Sequence, residues 1–135
     1  MSFDPATDYP LGTARPDLVG TPGGLRLDEV TLEAARDGGL TADEIRATPA
    51  TLRLQAEVAR AAGRSQLADN LERAAELASV PDGELLEIYT ALRPGRSSAA
   101  QLEVWAGKLD GWGATATAAF VREAASAYSA RGLLA

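Results

Sequence analysis

The sequence contains no cysteine and no histidine. Without cysteine there is no disulfide framework, no thiolate zinc site and no cysteine nucleophile. Without histidine the chain lacks the commonest general base, the commonest metal ligand and the usual partner of a serine nucleophile. A self-contained hydrolase or metalloenzyme is therefore not expected. Basic charge is also in deficit. Lys and Arg total 13 against 19 Asp and Glu, a net charge of −6. Binding to nucleic acid requires basic residues that neutralise phosphates, so a nucleic-acid partner is not expected. An anionic membrane surface is disfavoured by the same repulsion. No apolar run approaches the roughly 20 residues that span a bilayer. The first ten residues carry Asp4 and Asp8 but no Lys or Arg, unlike the basic start of a signal peptide. A cytoplasmic protein is expected, and the missing cysteines agree with a reducing compartment.

What the chain has instead is alanine, 28 residues of 135, with 46% hydrophobic residues overall. This length suits one globular domain. Alanine is the strongest helix former, and its small side chain lets helices approach closely. Four of the seven prolines (Pro5, Pro10, Pro16 and Pro22) fall within residues 1–24, among Gly12, Gly20, Gly23 and Gly24. Proline removes backbone donors and glycine weakens helix, so residues 1–24 read as an irregular, extended arm. The arm still carries Phe3, Tyr9, Leu11, Leu18 and Val19, more apolar weight than a solvated tail needs. Two readings stand: it lies across a partner, or it folds back on its own helices.

Residues 25–135 read as a helical domain. Leu27, Val30, Leu32 and Ala35 predict a short helix stopped by Gly38-Gly39. Thr41 and Glu44 have capping-box spacing. Thr48-Pro49 opens a helix whose stripe is Leu52, Ala56 and Ala59, with Gly63 as its stop. Ser65 is expected to cap the next, with stripe Leu67, Leu71, Ala74, Ala75 and Ala78. On it, Asp69 and Arg73 have the spacing of a supporting ion pair. Asp82 is expected to cap a helix facing inward through Leu85, Tyr89 and Leu92. Ser98 and Gln101 form a second capping box, followed by Leu102, Trp105, Ala106 and Leu109. The last helix shows Ala116, Phe120, Ala124, Ala127 and Tyr128. No strand pattern of useful length appears. The expected fold is an all-α compact bundle of about five or six short helices.

No catalytic, cofactor-binding or metal-binding residue stands out. Asp82, Glu84, Glu87 and Glu103 occupy caps, first turns or polar faces, where acids favour the helix dipole. Asp69, Glu72 and Glu76 lie on regular helix, without the tight loop of a hard-cation site. The segment Arg93-Pro94-Gly95-Arg96-Ser97-Ser98 is the most suggestive cluster. It could hold an anion beside a helix N-terminus. Alternatively, it is a helix-to-helix turn whose arginines satisfy carbonyls or pair with acids. The missing phosphate-cradling glycine run favours the turn. The candidates for contact with a partner are Tyr9, Pro10, Leu11, Arg73, Arg93, Arg96 and Arg122.

Several blocks together resemble a known family. They are Asp8-Tyr9-Pro10-Leu11, Thr31-Leu32-Glu33, Thr51 to Ala56, Asn70 to Leu77 and Val80-Pro81-Asp82. Ile88 to Pro94 follows with Arg96-Ser97, then Ala118 to Ala125 with Tyr128 and Arg131. In this order and spacing the chain resembles the small (gamma) subunit of adenosylcobalamin-dependent diol and glycerol dehydratases, from Asp8 to Leu134. The resemblance implies a holoenzyme that converts a 1,2-diol or glycerol to an aldehyde and water through an adenosyl radical. It implies a large subunit holding substrate and an active-site metal ion, a medium subunit that helps to clamp the cobalamin, and a dimer of heterotrimers. It implies no catalytic residue in this chain. The alternative is a stand-alone helical adaptor or regulatory protein derived from that scaffold. The chain departs from the family at Gly95, where an aromatic is usual. It also departs at the N-terminus, where only Met1 to Thr7 precede Asp8. Those residues have no amphipathic stripe to direct a bacterial microcompartment association, which another subunit would have to supply.

Overall fold

The computed structural model describes residues 2–135, and its helical content matches the expectation of an all-α fold. Seven α-helices form among the described residues. Five have ten residues or more, and the first two are single turns. No strand forms there. One isolated antiparallel bridge joins Gly20 and Arg26. The chain divides into two compact units, Met1–Ala78 and Ser79–Ala135.

In the first unit the arm follows its proline content. After the cis Tyr9–Pro10 peptide comes one helical turn, α1 (Leu11–Ala14), and then a 3-10 turn at Pro16–Leu18. The helix expected from Leu27 is split. A 3-10 turn spans Leu27–Glu29, and α2 (Leu32–Arg36) starts afresh after Thr31. The Thr31 side chain accepts from the Ala34 N–H at 3.1 Å, so it caps a new helix and cannot continue the old one. The expected capping box at Thr41 does not form a helix. Glu44 turns away and accepts from the Thr21 hydroxyl, which itself accepts from the Leu25 N–H at 3.0 Å. A Cβ at Gly23 would meet the Glu44 carboxylate, so a side chain there would displace Glu44 from this contact.

Helices α3 (Pro49–Ala61) and α4 (Ser65–Leu77) form a hairpin. Thr48 caps α3 as expected, accepting from Thr51 N–H at 3.2 Å with Pro49 at the first helical position. Gly63 (φ +73°) ends it: the Arg64 N–H reaches Ala59 O at 2.8 Å and the Gly63 N–H reaches Arg60 O at 3.0 Å. Because that closing motif uses Arg64, the chain re-enters helix immediately. Ser65 therefore becomes the first residue of α4 and not its cap. Ala56, Ala59 and Ala68 make the buried core of the hairpin, with Leu71 packed against it.

The second unit holds α5 (Asp82–Ala91), α6 (Ala99–Gly111) and α7 (Thr115–Arg131). Pro81, not Asp82, is the N-cap of α5. Asp82 sits one position inside, still where an acid favours the dipole. The capping box at α6 is complete. Gln101 N–H donates to Ser98 Oγ at 3.3 Å, and Ser98 N–H donates to Gln101 Oε1 at 2.8 Å. Helix α6 packs on α7 and touches α5. It buries Leu102, Ala106 and Leu109, three of the four residues expected on that face, and leaves Trp105 half-buried.

Two faces differ from expectation. Helix α5 buries Ile88 and Ala91, and leaves Tyr89 59% exposed. Helix α7 buries Thr117, Ala118 and Val121, while Ala116, Phe120 and Ala127 face outward. On α7 alanines fall on every side, so apolar spacing does not single out one stripe.

Because the α3–α4 seam is closed by alanine, added volume there must push the helices apart. Ala68→Leu is expected to destabilise the fold by about 1–3 kcal/mol, the usual cost of overpacking a tight core. Chemical denaturation reads this out. An unchanged midpoint would mean that the seam has spare room.

Candidate functional site

The partner-contact candidates fall on four parts of the chain: the arm, α4, the turn after α5, and α7. Tyr9, Pro10 and Leu11 sit on the arm and line an open groove of about 950 Å³ with Val58, Leu67 and Leu71. Leu11 is buried and anchors the arm within its own unit, whereas Tyr9 is 66% exposed. The arm thus folds back on its own helices at Leu11 and still presents Tyr9 outward. The groove is mainly apolar and suits hydrophobic contact, not proton transfer.

The arm is fixed locally by charge. The Arg15 guanidinium bridges Asp8 at 3.0 Å and Asp17 at 2.9 Å. Asp8 also accepts from the Asp4 N–H at 2.9 Å. That amide, then Arg15, holds the Asp8 carboxyl below the ordinary aspartate range. Arg15 does the same for Asp17, and is itself raised by both acids.

Arg73 is half-buried on α4, where its guanidinium donates to Asn70 Oδ1. Charge on that helix is also met from α3: Arg60 lies 3.6 Å from Asp69 and 3.8 Å from Glu72. Arg122 projects from α7 between two acids of α6, Glu103 at 2.8 Å and Asp110 at 2.9 Å. The Arg122 hydrogen bond lowers the Glu103 carboxyl. The pair is exposed, so it sets the α6–α7 register more than it stabilises the fold. Lys108 reaches Glu84 at 3.3 Å and lies 4.3 Å from the centre of the Trp105 ring.

Arg93 and Arg96 flank a turn that is tied down by its backbone. Gly95 N–H donates to Leu133 O at 2.7 Å, and Ala135 N–H donates to Ser97 O at 3.0 Å. Buried Ser97 donates its hydroxyl to Ala91 O at 2.8 Å. Tyr128 donates its hydroxyl to Leu92 O at 2.6 Å. Gly95 has φ +72°, a left-handed conformation that glycine adopts at little cost, which accounts for glycine at this position. These groups, and not the arginines, serve the carbonyls of Ala91, Leu92 and Ser97.

Sequence reasoning missed the most conspicuous surface feature, a set of large apolar side chains left in the open. Leu32, Ile45, Leu86 and Val104 are between 63% and 71% exposed, and Phe120 is 45% exposed. Leu86 was detectable in principle, because Leu85-Leu86 and Ile88-Tyr89 put apolar residues on more than one face of a short helix. No group of three or more acidic side chains capable of holding a metal ion occurs among the described residues. No helix among them is long and apolar enough to cross a membrane.

A model of the dehydratase small subunit family matches residues 5–135. Over 126 residues the chain is 52% identical to the propanediol dehydratase small subunit of Citrobacter freundii. It is 50% identical to that of Salmonella typhimurium. Each match covers 93% of this chain and 73% of the relative.

The depressed carboxyls on the arm predict acid sensitivity with a definite sign. Their stabilising contribution is complete above the ordinary aspartate value of 3.8 and is lost as pH falls through the lower folded-state values. In Arg15→Gln, a carboxyl NMR titration should show Asp17 returning toward 3.8. Asp8 should stay below 3.8, because the Asp4 amide still donates to it. An unmoved Asp17 would show that Arg15 does not hold it in solution.

Proposed function

The chain belongs to the dehydratase small subunit family, and from that premise we propose that it is the non-catalytic small subunit of an adenosylcobalamin-dependent diol or glycerol dehydratase. Its complex would convert propane-1,2-diol to propanal and water, or glycerol to 3-hydroxypropanal and water, in the cytoplasm. The partners are the large and medium subunits, in a dimer of heterotrimers. The observation that carries this reading is the exposure of Tyr9, Leu32, Ile45, Leu86, Tyr89 and Val104, each 59% exposed or more. Isolated exposed apolar residues are ordinary. A set this large on a 135-residue chain points to surfaces covered by other subunits.

Adenosylcobalamin supplies the radical chemistry that moves the hydroxyl group, and the protein supplies binding and orientation. The residues of this chain do not fit the cofactor or the active-site metal ion. The sequence has no histidine or cysteine, and the described residues hold no acidic cluster. The groove beside the arm presents mainly apolar side chains. Both groups are therefore assigned to the large and medium subunits. This chain acts by covering and stabilising them, the arm of residues 1–24 extending the contact made by the helical part, residues 25–135.

Reconstitution tests this. The chain alone should form no aldehyde from either substrate. Large and medium subunits prepared without it should be less stable and less active than the three together. Unchanged activity and stability on omission would overturn the reading. A second outcome concerns the free chain, which should be less soluble than its net charge suggests because its apolar surface lacks a cover. A monodisperse, cooperatively melting free chain would count against that.

A further inference from the structure

The second unit carries five basic side chains. Two are matched internally, Lys108 by Glu84 and Arg122 by Glu103 and Asp110. The other three, Arg93, Arg96 and Arg131, are exposed and make no ion pair or side-chain hydrogen bond with any described residue. They are not scattered. Arg93 and Arg96 bracket the turn after α5, and Arg131 is the last residue of α7. Gly95 N–H to Leu133 O at 2.7 Å binds that turn to the segment just beyond Arg131, and Tyr128 Oη to Leu92 O at 2.6 Å reinforces it.

Local electrostatics account for only part of this gathering. Arg93 and Arg131 lie near helix C-termini, where the dipole favours a cation. Arg96 lies two residues before Ser98, the N-cap of α6, where the dipole opposes one. The carbonyls of Ala91, Leu92, Arg93 and Ser97 do not need the arginines as donors, since Ser97, Tyr128 and backbone amides serve these. Positions that break a local rule without a local gain are expected at functional sites.

We propose that Arg93, Arg96 and Arg131 form a docking clasp for a carboxylate-bearing surface of a partner subunit. The proposal rests on the subunit reading above and specifies where one of its contacts is made. Guanidinium presents a planar fork of donors that matches carboxylate in a bidentate way. Arginine suits an interface pair better than lysine because it is more weakly hydrated. The clasp supplies complementary charge on a subunit whose net charge of −6 would otherwise repel an acidic partner surface.

The test uses this chain assembled with its large and medium subunits, compared with Arg93→Glu/Arg96→Glu. Arg36→Glu/Arg53→Glu serves as the control, because it changes net charge equally at exposed sites of the first unit. Association is read by native mass determination across a salt series. The clasp variant should bind roughly tenfold more weakly or worse, the loss expected when interfacial charge pairs are broken. The control should assemble like the unaltered chain. Arg93→Gln/Arg96→Gln should fall between the two, and circular dichroism should show all variants folded. Equal assembly of variant and unaltered chain, or equal loss in the control, would overturn the clasp and leave the subunit reading intact. Failure of the unaltered chain to assemble would overturn both. Arginine-dependent binding of inorganic phosphate by a variant set that assembles normally would replace the clasp with a small-anion site.

Discussion

In the α3–α4 hairpin the two helices meet through methyl groups. Ala56, Ala59 and Ala68 are buried at the seam, and only Leu71 adds a larger side chain. Alanine is used in the same way elsewhere. It supplies eight of the fourteen buried hydrophobic residues, including Ala106, Ala114 and Ala118 in the second unit. Close approach keeps helix ends and caps in register with little side-chain entropy lost. It also limits the apolar area that each helix removes from water. Full burial of a leucine contributes roughly 1.5–3 kcal/mol, and an alanine methyl much less. Leu32, Ile45, Leu86, Val104 and Phe120 lie outside this core. These larger apolar residues are displaced to the surface.

That displacement connects packing to function. A subunit can be thinly stabilised on its own when association covers the rest of its apolar surface, since any partner that binds only the folded form adds to its stability. The arm follows the same logic. Leu11 fixes it at one point and Arg15 ties its acids together, so Tyr9 is presented on a held segment and not on a free tail. Preorganisation of this sort lowers the ordering cost of association.

Which parts were legible in the sequence follows from how local their causes are. The caps at Thr48 and Ser98 and the stop at Gly63 depend on a few neighbouring residues, and all three form as read. The Thr41 box failed because a distant hydroxyl, Thr21, captured Glu44. Ser65 and Asp82 each sit one position inside their helices, after N-caps Arg64 and Pro81 that make no side-chain cap bond. The inward face of α7 was not legible for a different reason. With alanine at positions 116, 118, 119, 124, 125 and 127, hydrophobicity alone marks no face, and the buried Thr117 is invisible to it. The family was legible because its blocks are contiguous. The partner surface was not, since an apolar residue awaiting a partner looks the same in sequence as one facing the core.

Charge resolves part of that ambiguity. Most strong ion pairs here close on residues of the same unit: Arg15 with Asp8 and Asp17, Arg60 with Asp69 and Glu72, Arg122 with Glu103 and Asp110. Such pairs add little stability in water, but they silence the charges involved as signals to a partner. The cations left over then carry the information. In the second unit these are Arg93, Arg96 and Arg131, on segments joined by backbone and tyrosine hydrogen bonds that spare the guanidiniums. These cations stand on neighbouring segments, and Arg96 does so before the N-cap of α6, where the dipole opposes it and an external anion would relieve it. Apolar exposure shows that this chain has surfaces to cover. The unmatched arginines distinguish one of those surfaces by sign, which hydrophobic contact cannot do.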